Sequence, residues 1–523
     1  VNKKSATPKD ASAIILLNHD KTKVLWARRN PNLRFLGGFH GFPGGKVDDN
    51  DALIEVKNCV DNETAKLLAC VVREVFEEVG VLLTRGGKKL TKGQRVSLHN
   101  DLINEVFPFS EILETWGLWI DAEDFDFWEC WTTPEFSPIR FKTRFFRAVC
   151  PRKQKPYPAI TELQEIEFIE PQKALDLWAR SKVLIAPPVL ISLQHLAKGF
   201  EPQKREDAEF DFTKREKEEI SNLSQKSSVS QRLSGNDLNQ NGDDDIDYIE
   251  LNSRLICFPL RTKTLPPATH TNCFIVGRKE FVVIDAASKE REEQAKLFEL
   301  VDEFIETGGV CKEIIVSHLH PDHFGGETIL KNHLLEKFGL DVPISAHKIT
   351  AESLEQEVKI EKFIEDKQVF ALKDSDGKPF QLKALHTPGH ARGHLCFYDE
   401  EFGFLLSSDN VVGFGTVVIA PPEGNMIDYL ASLERMKNLP HLNFLCGSHG
   451  SAVFDAKGRI ENYIEHRLDR EKQILEALEN GANTPREIVE KVYIDLNPKL
   501  LPLAEKSVEA HLEKIRQENL AEF

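Results

Sequence analysis

The sequence predicts a multidomain α/β protein with a helical C-terminal segment. Three observations carry that expectation. The chain has 523 residues, too many for a single hydrophobic core. Short apolar runs alternate with helical patterns on both sides of one polar stretch, and everything after about Ala456 reads almost entirely as helix. The hydrophobic fraction of 41% is ample for globular folding.

In the first part, "SAIILL" and "KVLWARR" have strand length and composition, and they accompany the helical pattern "AKLLACVVREVFEEVGVLL". From Glu201 to about Asp247 the chain turns charged, then rich in Ser, Asn, Gln and Asp. Such a stretch cannot bury enough apolar surface to offset the entropy of ordering, so a linker is expected there, with one short helix over "DFTKREKEEISNL". Beyond it, "CFIVG", "EFVVIDAA", "EIIVSHLH", "VPISAH" and "FGFLLSSD" read as strands, several separated by helices such as "KEREEQAKLFELVDEFIETG". The end supplies three helical patterns with short connections, for which Thr484 before Pro485, and Ser507, are the expected N-caps. The expected boundaries are 1–200, a linker at 201–248, a second α/β domain at 249–455, and a helical, winged-helix-like domain at 456–523.

A net charge of −17 weighs against broad electrostatic capture of nucleic acid or an anionic membrane. Nine scattered cysteines without a CxxC pair point to free thiols in a reducing compartment. The first apolar run is too short for a signal core or a membrane span, and "NLAEF" is no peroxisomal address. A cytoplasmic protein is expected, without a membrane partner and compatible with a homodimer.

The densest chemistry lies in "SHLHPDHFGG". His318 and His320 are two apart at the end of an apolar strand, so an extended backbone directs both to one side. The turn through Pro321 presents Asp322 and His323 from another direction. The segment therefore suits two neighbouring ions, and Gly325 and Gly326 let the chain turn tightly into a helix close to them. Further candidate ligands stand at later strand ends: His390 in "HTPGH", Asp409 ending "FGFLLSSD" and His449 in "NFLCGSHG". A single histidine in such a place is usually a surface or core residue. Five histidines and two aspartates, each at a strand-to-loop junction, point to a shared metal centre.

These motifs together resemble the metallo-β-lactamase superfamily over roughly residues 250–455. The resemblance implies an αββα sandwich holding two Zn²⁺ ions, with Mn or Fe also compatible with the mixed N/O donors. It assigns His318, His320 and His390 to one ion, Asp322, His323 and His449 to the other, and Asp409 to a bridge. It gives Asp285 a supporting hydrogen-bonding role behind the ligands. Two such cations polarise a substrate oxygen and lower the pKa of a bound water to about 7. Asp322 is then the catalytic group that orients this water and takes its proton. His394, in "HARGH", is a candidate contact to the substrate's leaving group, with a plain polar loop residue as the equal alternative. The stretch "GTVVIAPPEGNMIDYLASLERM" and the helical tail look like the branch with small endoribonucleases and thioesterase-like enzymes, which carries a winged-helix-like C-terminal domain.

The first part raises a second site. In "ACVVREVFEEVGVLL", Glu74, Glu77 and Glu78 are related by helical i, i+3 and i, i+4 spacing, so three carboxylates share a face. An acidic face is usually solvated, but here apolar residues fill the remaining positions and Gly80 stops the helix. A hard divalent cation would relieve the repulsion. With the turn-rich "GGFHGFPGGKVDDND" upstream, the pattern resembles a Nudix hydrolase over about residues 8–200. The resemblance implies an α/β/α sandwich binding Mg²⁺ or Mn²⁺ through Glu74, Glu77 and Glu78, with Arg73 orienting them and Gly45 in the loop that meets the substrate. It implies catalysis through Glu74 and Arg73, and Glu162 or Glu165 is a candidate base. The spacing from Gly45 to Arg73 is lengthened by some fourteen residues, which places the box's remaining acidic residue on Asp51. Such an insertion after "FPGGKVD" looks like the coenzyme A diphosphatase branch.

The sequence therefore predicts a two-site hydrolase. One site cleaves an ester, thioester or phosphodiester, and the other a nucleoside-diphosphate-linked compound, with nucleotides or coenzyme A derivatives as candidate substrates. The alternative is an endoribonuclease acting on single-stranded RNA, with the first domain as a binding or regulatory module.

Overall fold

A computed structural model describes residues 7–31, 33, 36–59, 61–86, 90–134, 139–158, 162–199, 248–265, 268–413, 415–493 and 500–518. The chain divides into two compact units, 1–247 and 248–523. The expected linker, including its short helix, lies outside the described residues up to 247.

The first unit is built on an eight-stranded mixed sheet. Its strands are β1 (Lys9–Leu17), β2 (Val24–Arg29), β3 (Phe39–Gly41), β4 (Gly44–Lys46), β5 (Asp126–Thr132), β6 (Phe141–Val149), β7 (Leu163–Ile169) and β8 (Leu184–Ile185). The order is β8-β3-β2-β1-β6-β5, with β7 paired to β2 and β4 to β1. Seven consecutive residues of β1, from Ala11 to Leu17, are buried, as expected of a strand covered on both faces. Helix α1 (Asn62–Val79) packs its apolar stripe, Leu68, Val71, Val72, Val75 and Val79, into the core. Asp61 caps its start by accepting from Thr64 N, and Gly80, at φ 63°, ends it where the sequence predicts.

Among the described residues the second unit carries twelve strands: β9 (Ile249–Asn252), β10 (Leu255–Arg261), β11 (His270–Gly277), β12 (Glu280–Ile284), β13 (Val310–Ile315), β14 (Ile344–His347), β15 (Lys362–Ile364), β16 (Val369–Lys373), β17 (Pro379–His386), β18 (Leu395–Asp399), β19 (Phe404–Ser408) and β20 (Phe444–Gly447). They run β9-β10-β11-β12-β16-β17-β18-β19-β20, with β13, β14 and β15 branching from β12 in parallel. β12 meets β16 antiparallel at Glu280 and Lys373, where the two halves of this curled sheet join. Helices α2 (Arg291–Glu306), α3 (Glu327–Phe338) and α4 (Met426–Lys437) accompany the sheet.

Among the described residues after 455 the regular elements are helices: α5 (Ala456–Glu479), α6 (Pro485–Val492) and α7 (Leu501–Gln517). The expected cut at 456 falls inside a continuous structure. Ala456, Ile460 and Tyr463 at the start of α5 belong to the core beneath the second sheet, whereas Ile474 and Ala477 at its end belong to a helical core with α6 and α7. Thr484 caps α6 as expected, accepting from Glu487 N. Ser507 does not cap α7. The helix starts six residues earlier, with a proline in its first turn, and Ser507 is buried inside it.

All nine cysteines are free thiols. Among the described residues no helix is long and apolar enough to cross a membrane.

Candidate metal centre

Each expected ligand of the second unit stands just past a strand end. His318, His320, Asp322 and His323 follow β13, His390 follows β17, Asp409 follows β19 and His449 follows β20. Because these strands share one sheet, their ends converge. Two groups of ligand atoms result, each within 4.8 Å: His318, His320, His390 and Asp409, and then Asp322, His323 and His449. Gly325 turns the chain into α3 at φ 122°, a conformation glycine adopts without strain.

The Asp409 carboxylate reaches both groups. Its Oδ2 lies 3.5 Å from His323 Nε2 and 3.6 Å from His390 Nε2, while Oδ1 lies 3.5 Å from His449 Nε2. Asp322 Oδ2 is 3.4 Å from His449 Nε2. In the other group His320 Nδ1 is 3.0 Å from His318 Nε2 and 2.9 Å from His390 Nε2. Most of these rings use their second nitrogen inside the protein. His390 Nδ1 bonds the Val418 carbonyl at 3.0 Å, His449 Nδ1 the His270 carbonyl at 2.8 Å, and His323 Nδ1 the Asp285 carboxylate at 2.9 Å. Nitrogens committed to carbonyls carry the hydrogen, so the Nε2 atoms of His390 and His449 are turned into the centre.

Electrostatics fit a cation. His323 Nε2 and Asp409 Oδ1 are buried without a hydrogen-bond partner, a costly state that a bound ion removes. Burial pushes His390 down to about 3, and His318 well below the histidine range. For Asp409 burial alone would raise the carboxyl, but the His449 and His323 charges hold it well below the usual range. Asp322 behaves the same way: burial is outweighed by its bond to His449 and the charge of His323. Burial opposes protonation of His449, yet Asp409 and Asp322 drive it up to about 10. Protons on His323 and His449 thus balance the carboxylates where a divalent ion would. The donor set fits such ions. His320 and Asp322 are the partly exposed members, so the centre opens on their side.

Asp285, at φ 56°, accepts from Ser317 N and Ser317 Oγ, both at 2.7 Å, as well as from His323. These bonds tie it to one proposed ligand, His323, and to the residue before another, His318. The expectation for His394 is corrected. The ring is fully buried, its Nε2 accepts from Asp409 N at 3.2 Å and its Nδ1 meets Thr387 Oγ1 at 3.1 Å. Both nitrogens serve the interior, so His394 braces the Asp409 backbone and has none free for a leaving group.

Helix α5 grips the loop after Asp409, a contact not read from the sequence. Arg459, Tyr463 and Arg467 are four residues apart and share one helix face. Arg459 Nη2 donates to Gly415 O at 2.9 Å, Tyr463 Oη to Gly415 O at 3.0 Å, and Arg467 to Val417 O. The next carbonyl, that of Val418, is the one that orients His390.

In the first unit Glu74, Glu77 and Glu78 share one face of α1, but their carboxylates do not gather. Both ligand groups found among the described residues are in the second unit. Arg73 stands between two of them, with Nη1 2.8 Å from Glu74 Oε1 and 2.9 Å from Glu77 Oε2, while Glu78 accepts from Gly44 N at 2.9 Å. The guanidinium also forms a two-pronged pair with the fully buried Asp51, at 2.8 and 3.0 Å. Asp51 and Arg73, on either side of the insertion, are thus joined directly. Gly45 serves Glu74: a Cβ there would lie 2.4 Å from the glutamate's Cδ. Of the two candidate bases, Glu165 is paired with Arg28 at 2.7 Å, whereas the charge of Glu162 acts on Glu78.

Known proteins share both architectures. The sequence profile of the metallo-beta-lactamase superfamily matches residues 266–449, that of the beta-lactamase associated winged helix domain 484–523, and that of the NUDIX domain 7–186. A beta-lactamase-like protein 2 homolog of Drosophila melanogaster is 30% identical over 216 residues, 39% of this chain and 68% of that protein. An atrochrysone carboxyl ACP thioesterase, dmxR1, of Cryptosporiopsis sp. is 31% identical over 175 residues, 33% of this chain and 47% of that one. A Caenorhabditis elegans protein named "Putative nudix hydrolase 7" is 28% identical over 199 residues, 38% of this chain and 63% of that one. The chain spans 59% of the length of the Aspergillus niger lactamase-like proteins it matches. It belongs to the metallo-beta-lactamase superfamily and carries a NUDIX domain ahead of that fold and a winged helix domain after it.

Proposed function

We propose that the chain is a two-site hydrolase whose second unit holds two divalent cations and cleaves a thioester, and whose first unit cleaves a diphosphate, both in coenzyme A derivatives. The observation that carries the reading is Asp409, whose carboxylate reaches both groups of ligand atoms, with Oδ2 near His390 and His323 and Oδ1 near His449. Bound there, two zinc ions, or manganese or iron, would polarise the substrate carbonyl and make a water reactive at neutral pH. The chain's own part is to hold and move the proton. Asp322, kept ionised and partly exposed, is the group we assign to take it from the attacking water and release it toward the leaving thiolate. Likeness to a thioesterase and to a nudix hydrolase supports this pairing of activities. The net charge of −17 weighs against the RNA reading.

In the first unit Glu74, Glu77 and Glu78 would hold Mg²⁺ or Mn²⁺ once Arg73 yields its two glutamate contacts and keeps Asp51. The test is a panel of acyl-coenzyme A thioesters and free coenzyme A, assayed with the full chain and with His320→Ala and Glu77→Gln. The proposal expects His320→Ala to lose thioester cleavage alone and Glu77→Gln to lose diphosphate cleavage alone. Wild-type protein that cleaves neither bond with Zn²⁺ and Mg²⁺ present would refute the shared substrate.

A further inference from the structure

Three proposed ligands are each preceded by a serine: Ser317 before His318, Ser408 before Asp409 and Ser448 before His449. All three serines are buried, and their hydroxyls meet behind the centre. Ser448 Oγ is 3.1 Å from Ser408 Oγ, Ser408 Oγ is 2.8 Å from Ser317 Oγ, and Ser317 Oγ is 2.7 Å from Asp285 Oδ2. Two members of this chain, Asp285 at φ 56° and Ser408 at φ 44°, sit in the left-handed region that side chains rarely adopt, so their surroundings hold them there.

The direction of the chain follows from its end. A carboxylate only accepts, and a hydroxyl has one hydrogen and two lone pairs. Ser317 therefore gives its hydrogen to Asp285, Ser408 gives to Ser317, and Ser448 gives to Ser408. Ser317 Oγ keeps one lone pair, and His318 Nδ1 lies 3.0 Å from it. That contact is a hydrogen bond only when Nδ1 carries the hydrogen. Nε2 of His318 is then a bare lone pair, and it is the atom turned toward His320 and the centre. The same Asp285 Oδ2 accepts from His323 Nδ1. One carboxylate thus orients a ring in each ligand group, directly for His323 and through Ser317 for His318.

We propose that Ser448, Ser408 and Ser317 form a one-way hydroxyl chain, ending on Asp285, that fixes which nitrogen His318 offers to the metal, so that Ser317 and Ser408 are positioning residues of the centre. The inference rests on the metal reading above and adds residues to it. Ser407 supplies an internal control. It is adjacent and fully buried, but its hydroxyl goes to the Val411 and Cys446 carbonyls, outside the chain.

The test has two readouts on the full-length protein. Zinc affinity is measured by competition with a chromophoric chelator, and the ring tautomer of His318 by ¹⁵N–¹H correlation in metal-free protein, the signal being identified by its loss in His318→Gln. Ser317→Ala is expected to weaken zinc binding about 10- to 100-fold and to move His318 toward the Nε2–H form. Ser317→Thr, which keeps the hydroxyl, restores both, Ser408→Ala gives a smaller change in the same direction, and Ser407→Ala changes neither. If Ser317→Ala does not fold, Ser408→Ala and the wild-type tautomer decide. Unchanged affinity and tautomer in both alanine variants, equal losses in Ser407→Ala, or wild-type His318 in the Nε2–H form would overturn the proposal. Wild-type protein that binds no zinc while His318 keeps the Nδ1–H form would instead defeat the metal reading and leave the hydroxyl chain standing.

Discussion

Gly45 lies so close to Glu74 that a methyl group on the glycine would stand 2.4 Å from the glutamate's carboxyl carbon. The strand carrying Gly45 pairs with β1, so the backbone cannot easily retreat. Gly45→Ala must therefore push Glu74 aside. We expect loss of stability of about 1–3 kcal/mol in the first unit, as for other overpacked sites, together with weaker Mn²⁺ binding and unchanged zinc binding in the second. Calorimetry with metal titration checks this. Normal Mn²⁺ affinity in Gly45→Ala would show that Glu74 is not held against that backbone.

The Asp51–Arg73 pair makes a different prediction. Asp51 is fully buried and both of its oxygens face the guanidinium. Removing one member of a buried pair strands the other's charge, at about 3–5 kcal/mol. Arg73 keeps Glu74 and Glu77 as partners, so Asp51→Ala should fall at the low end, about 3 kcal/mol. The freed guanidinium then competes more strongly with Mg²⁺ for the two glutamates. Denaturant unfolding and Mg²⁺ titration measure the two effects, and a stability loss below about 1 kcal/mol would place the pair among ordinary surface bridges.

Glu78 and Glu74 predict how pH acts on the metal-free first unit. Burial first, then the charge of Glu74, pushes Glu78 up to about 8. Burial, opposed by Arg73, pushes Glu74 up to about 7. The folded form therefore keeps protons that the unfolded chain gives up above its carboxylate pKa, and this stabilisation, complete in acid, is lost as pH rises toward 8. In EDTA the first unit should melt at a lower temperature at pH 8 than at pH 5.5. The drop should be smaller in Glu78→Gln, and Mg²⁺ should reduce it in wild type. An identical pH dependence in Glu78→Gln would contradict the assignment.

Arg467 links the helical tail to the metal centre. It holds the Val417 carbonyl, and the adjacent Val418 carbonyl orients His390. Arg467→Ala should lower zinc affinity about tenfold, the range seen when partners behind a ligand are lost, and Arg467→Lys should recover part of it. Chelator competition reads the effect. Full affinity in Arg467→Ala would reduce the tail to a packing role.

Much of this was legible in the sequence because strand ends are legible. Apolar runs that stop on His318, Asp409 and His449 announce both the sheet and what its edge presents, and helical spacing alone puts Glu74, Glu77 and Glu78 on one face. His394 was misjudged because spacing does not say whether a loop histidine faces the cleft or the interior. Only the fold places it under Asp409. Ser507 looked like a cap because serine caps helices, but the proline in the first turn and the burial of Ser507 decided otherwise. The three serines behind the ligands carried a signal, each standing one residue before a ligand, yet serine is too common for adjacency to stand out without distances. The grip of α5 on the Gly415–Val417 carbonyls involves backbone acceptors, which leave no mark in a sequence.

The account's central claim is that seven side chains hold two metal ions joined by Asp409. Counting metal per chain by mass spectrometry, on full-length protein equilibrated with zinc and freed of excess, tests it most directly. Two tightly held ions in wild type, falling to fewer than one in Asp409→Ala while Glu77→Gln keeps both, is the predicted result. One ion or none in wild type, or two still held by Asp409→Ala, would contradict it.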